Sequence, residues 1–152
     1  MAMKQHKVRS LLGIVAVLVL GGSVLAAGMM MNRSMARHHQ GMMGGIPEPY
    51  RDMRNPLPRT REIVAQGQEL FQANCAACHG PRGYGDGPAG KALSPPPANL
   101  NRLMKMRMMA RDNYLIWTLS EGGKAFQTAM PAFKETLSEE ERWKIIWFLR
   151  TL

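Results

Sequence analysis

An all-α domain of about three main helices and long loops is the fold class this sequence predicts, and three observations predict it. No stretch alternates apolar and polar residues in the manner of a half-buried strand. Three stretches open on a capping residue and carry apolar side chains suited to a helix. Between the first two lies a run rich in Gly and Pro, from Gly80 to Pro97, that reads as loop. A chain of 152 residues fits one compact domain with something attached to it.

The attachment comes first. Residues 1–27 read as a signal peptide or a membrane anchor. MAMKQHKVRS is polar and basic and leads into an uncharged run from Leu11 to Ala27, the order of regions in an export signal. Cleavage after Ala26 or Ala27 would leave a soluble chain. Gly28 and Met29 to Met31 lengthen the uncharged run to about 21 residues, close to the ~20 a helix needs to span a bilayer. An anchor over residues 11–31 is therefore the other reading. In both, the basic side precedes the apolar run, so the rest of the chain is expected outside the cytoplasm, in the periplasm.

Residues 28–59 are rich in Met, Gly, Pro, Arg and His without apolar periodicity, and they read as an extended linker with no core to join. Within it, His38-His39-Gln40-Gly41-Met42-Met43 brings together imidazole and thioether, ligand types that suit Cu(I). A flexible tether with solvated Met and His is the alternative.

The domain is expected over residues 60–152. Thr60 is the N-cap of its first helix, with Glu62 in the first turn and Val64, Leu70 and Phe71 as apolar residues, running to about Cys75. Asp112 is expected to cap a short second helix through Tyr114, Leu115, Trp117 and Leu119, stopped by Gly122 and Gly123. Ser138 and Glu141 form a capping-box pair for a third, whose Ile145, Phe148, Leu149 and Leu152 repeat at helical spacing. Loops this long in so small a domain suggest a bound group that orders them.

Only two cysteines are present, so the chain is no disulfide scaffold. They stand in Cys75-Ala76-Ala77-Cys78-His79, the C-x-x-C-H signature of covalent haem attachment. Residues i and i+3 share one face of a helical turn, so both thiols can form thioethers with the vinyl groups of one porphyrin. His79, next in line, can then reach the iron. The single covalent haem c also supplies the staple that a small domain lacks. A thioredoxin-like pair would want a βαβ pattern, and a zinc site would want further ligands; His6, His38 and His39, the only other histidines, lie in the signal or linker.

An electron-transfer haem takes Met opposite His, because the soft thioether favours Fe(II). Among 14 methionines, Met130 is singled out by Thr128-Ala129-Met130-Pro131, in the loop before the third helix and 51 residues after His79. Met104, Met106, Met108 and Met109 form the rival cluster, with apolar packing as their other role.

With these residues in view, the stretch from Thr60 to Leu152, about 93 residues, resembles a class I monohaem cytochrome c. Gly67 and Phe71 stand eight and four residues before the first haem cysteine, where that family places glycine and an aromatic. Ile145 and Phe148 match its C-terminal helix, which crosses the first helix at the small residue. The resemblance implies a proline carbonyl accepting the far-nitrogen proton of the haem histidine, for which Pro95, Pro96 and Pro97 compete. Gly83-Tyr84-Gly85-Asp86-Gly87-Pro88 resembles loops of bacterial members.

The function expected is an electron carrier, not an enzyme by itself, with Cys75 and Cys78 bonded to haem and His79 and Met130 on its iron. The alternatives are a haem enzyme or gas sensor with an open sixth position, and a copper-handling protein using the His/Met linker. After residue 28, 17 Lys and Arg stand against 11 Asp and Glu, about +6. Redox donors and acceptors with an acidic docking surface are thus expected, steered by Lys91, Arg102, Lys105, Arg107, Arg111, Lys124 and Lys134. Nucleic acid is not expected, because the basic residues are dispersed and the chain is exported.

Overall fold

The computed structural model describes residues 44–152. The expected signal or anchor over residues 1–27, its extension to 31, and His38 to Met43 of the expected linker lie outside the described residues. Among the described residues the fold is all helical: α1 (Arg61–Asn74), α2 (Ala76–His79), α3 (Leu100–Leu103), α4 (Asp112–Glu121) and α5 (Glu139–Leu149), with two short 3₁₀ turns and no strand. The three main helices expected from the sequence are α1, α4 and α5.

Local chemistry starts α1 and α5 as expected. The Thr60 hydroxyl accepts from the Ile63 N–H at 3.2 Å. At α5 the Ser138 hydroxyl accepts from the Glu141 N–H while the Glu141 carboxylate accepts from the Ser138 N–H, a closed capping box that satisfies two otherwise orphaned donors. Helix α4 differs. Its N-cap is Arg111, without a side-chain cap, and Asp112 is the first helical residue. The Asp112 carboxylate accepts instead from the Asn55 N–H at 3.0 Å and pairs with the Arg150 guanidinium. A charged donor across the fold wins over a neutral local amide, because charge-assisted hydrogen bonds are roughly twice as strong.

Helices α1 and α5 form the main packing pair. Their crossing is made possible by Gly67, which is buried against the backbone of Lys144: a β-carbon there would run into the Lys144 carbonyl oxygen and stand 2.6 Å from its carbon. The rings of Phe71 and Phe148 meet beside it at 5.1 Å, and Ile145 is wholly enclosed. The small residue and the aromatic and aliphatic pair do what the spacing implied.

Helix α4 is buried nearly all round, with Asn113 to Trp117, Leu119 and Ser120 enclosed. Tyr114, Trp117 and Phe126 pack as an aromatic trio at 5.3 to 6.2 Å. Much of the cover comes from the chain before Thr60, which corrects the linker reading for residues 44–59. Ile46, Tyr50, Met53 and Leu57 pack on the core. The Tyr50 hydroxyl donates to Glu121 at 2.6 Å, and the Asn55 side chain donates to the Trp143 carbonyl at 3.0 Å. Asn113 donates to the Arg51 carbonyl at 2.7 Å, and the Trp147 indole to the Leu57 carbonyl at 3.0 Å. This strap has no helical period because it runs through turns and irregular backbone, and it holds on through backbone atoms, two polar side chains and spaced apolar ones.

Candidate functional site

Helix α1 ends at Asn74, Cys75 caps it, and α2 begins at once, so Cys75 to His79 form a nearly continuous helical turn. Both thiols are free; Cys75 is buried and Cys78 half-buried. Burial, and then the neighbouring Cys78, push the Cys75 thiol up to about 12. A thiol held protonated is the reverse of the activated thiolate a redox pair needs. Among the described residues no three His, Cys, Asp or Glu side chains make a group able to hold a metal ion, so the two thiols and the imidazole are not arranged as one tetrahedral site.

His79 lies half-buried, and its Nδ1 stands 3.0 Å from the Ala98 carbonyl oxygen. A carbonyl only accepts, so Nδ1 carries the proton and Nε2 keeps its lone pair. Burial lowers the pKa of the imidazole, with the Ala98 hydrogen bond partly opposing it, and a neutral ring is the form that binds a metal. The acceptor is therefore not Pro95, Pro96 or Pro97, the three that compete in the sequence, but the residue after them.

The glycine-rich loop builds this arrangement. Gly80 ends α2 at a φ of 76°, a conformation that favours glycine, and turns the chain back over α2. The loop's amides then satisfy the carbonyls at that helix end: Gly85 N–H donates to the His79 carbonyl at 2.8 Å and Gly87 N–H to that of Cys78 at 3.1 Å. Leu100 N–H donates to the Gly83 carbonyl at 2.7 Å, which fixes the return of the chain and with it Ala98.

Met130 sits in the loop between α4 and α5, half-buried against the core. Gly123 N–H donates to its carbonyl at 2.9 Å, and Gly122, at a φ of 70°, lies with its bare α-carbon against that same carbonyl. The glycine pair that stops α4 thus also pins the backbone of Met130. Of the rival cluster, Met108 is 60% exposed and Met106 half-buried, while Met104 and Met109 pack on the core as Met130 does. Burial does not separate Met130 from those two; its glycine-held backbone carbonyl is a feature of its own loop.

The donor set fits haem c: two free thiols one turn apart, then a neutral imidazole with its distal nitrogen hydrogen-bonded. Sequence reasoning missed Ala98 and the spacing role of the loop glycines. The glycine spacing was visible, but nothing in the residue type of Ala98 marks its carbonyl. The family model for Cytochrome c matches residues 64–152. No curated protein matches the chain.

Proposed function

The chain belongs to the cytochrome c family, whose domain binds haem c covalently and transfers electrons, and on that premise we propose an exported class I monohaem carrier that passes single electrons between redox proteins. Cys75 and Cys78 hold the haem as thioethers, and His79 and Met130 ligate its iron. The observation carrying this assignment is the His79 ring, whose Nδ1 donates to Ala98 beside two free thiols. When bound, haem c supplies the reversible Fe(II)/Fe(III) couple.

The residues divide the remaining work. Cys75 and Cys78 prevent loss of the group. Ala98 fixes the His79 ring and raises the basicity of Nε2. The Met130 thioether favours Fe(II) and raises the potential. With His79 and Met130 both given to the iron, no coordination place would be left for a substrate, which suits a carrier rather than an enzyme. Export is supported by the basic-then-apolar order of residues 1–27.

Covalent attachment is tested on protein matured with haem. Denaturing electrophoresis should give a haem-staining band, the mass should rise by one haem, and Cys75→Ala with Cys78→Ala should abolish both. Extraction of all haem from the wild type by acid acetone would reject it.

A positive field is proposed to steer the partner. Lys91, Arg102, Lys105, Arg107, Arg111 and Lys124 are exposed, whereas Lys134 is drawn into a pair with Glu121 at 3.1 Å and contributes less. Stopped-flow electron transfer to the physiological acceptor should slow as ionic strength rises from 0.01 to 0.1 M, because the Debye length shrinks from about 30 to about 10 Å. A rate that is flat or rises with salt would point to an apolar contact instead.

A further inference from the structure

We propose that Gly85 is the positioning residue of the axial histidine: its backbone spaces His79 from the Ala98 carbonyl and so sets the reduction potential. This rests on the reading of His79 as iron ligand.

Gly85 touches both halves of the hydrogen bond. Its N–H donates to the His79 carbonyl at 2.8 Å. Its bare α-carbon faces the other half, for a β-carbon there would stand 2.6 Å from the Pro97 carbonyl oxygen and 3.2 Å from that of Ala98. It also holds a φ of 80°, where any other L residue is strained.

The 97–98 segment is confined from another side as well. A β-carbon on Gly90 would stand 2.5 Å from the Pro97 ring and 2.7 Å from the Cys78 carbonyl oxygen, so Gly90 is wedged between Pro97 and the backbone just before His79. With Gly85 and Gly90 both against it, the Pro97–Ala98 peptide has little room.

A side chain at position 85 therefore forces one of two movements. Either Pro97 and Ala98 shift, or residue 85 leaves its conformation and releases the His79 carbonyl. Both disturb the 3.0 Å Nδ1 to Ala98 contact, and a hydrogen bond of that length weakens steeply with misalignment. A ring that loses its acceptor is a weaker donor to iron, which favours the reduced state.

The experiment uses the haem-loaded full chain. Gly85→Ala should raise the midpoint potential, keep a low-spin spectrum and speed exchange of the His79 Nδ1 proton seen by NMR. Pro97→Ala, which only loosens the packing on Gly90, should give a smaller shift of the same sign. Gly67→Ala, which clashes at the distant helix crossing, should lose stability and keep the wild-type potential. Wild-type potential and Nδ1 exchange in both Gly85→Ala and Pro97→Ala would overturn the proposal. If Gly85→Ala takes up no haem, Pro97→Ala decides it alone. Failure of the underlying reading looks different: His79→Ala would then keep the low-spin spectrum.

Discussion

Met130→Ala should turn a closed haem site into an open one. The reduced, haem-loaded variant is expected to bind carbon monoxide stoichiometrically where the wild type binds none. The oxidised form should lose its sulfur-to-iron charge-transfer band, and the midpoint potential should fall because the thioether that favoured Fe(II) is gone. The fold should survive: the Met130 carbonyl, which accepts from Gly123 N–H, is backbone and persists in the variant. Truncating a half-buried Met costs less than the 2 to 5 kcal/mol of a fully buried one. Met104→Ala and Met109→Ala, at the two other methionines packed on the core, are the controls and should change none of these signals. If one of them opens the site and Met130→Ala does not, the ligand is in the 104–109 cluster. Carbon monoxide binding by the wild type would favour a gas-binding or catalytic haem instead.

Removing the strap should be the most damaging truncation. A haem-loaded chain starting at Thr60 loses five hydrogen bonds to the domain: those of Tyr50 with Glu121, Arg51 with Asn113, Asn55 with Asp112 and Trp143, and Leu57 with Trp147. At about 1 kcal/mol each, with the burial of Ile46, Tyr50, Met53 and Leu57 set against the cost of ordering the strap, the loss is on the order of 5 kcal/mol. That rivals the whole net stability of a small domain. Urea unfolding of residues 44–152 against 60–152 measures it. Equal midpoints would show the strap to be a passive cover. Asn55→Ala removes one of those five bonds, from its side chain to the Trp143 carbonyl, together with the Asn55 Oδ1 that accepts from the Leu57 N–H within the strap. It keeps the backbone bond to Asp112 and should cost about 2 kcal/mol by the same reckoning.

The sequence by itself determined the three main helices and the Cys75 to His79 turn, because their signals are local. A capping box needs only Ser138 and Glu141 three residues apart, and the two thiols need only one helical turn between them. Gly67 was legible for a related reason: an unfavourable residue in mid-helix calls for a close neighbour, and the Lys144 backbone is that neighbour. Asp112, though, carried a correct-looking local signal that a distant Asn55 and Arg150 overrode. Only the tertiary structure decided which carbonyl holds His79, that Ile46, Tyr50, Met53 and Leu57 pack on the core, and which methionine has its backbone pinned by glycines. Those decisions rest on backbone amides and carbonyls of residues such as Ala98, Arg51 and Leu57, brought to partners up to 90 residues away. Every residue carries those groups, so residue type cannot mark the ones the fold will use.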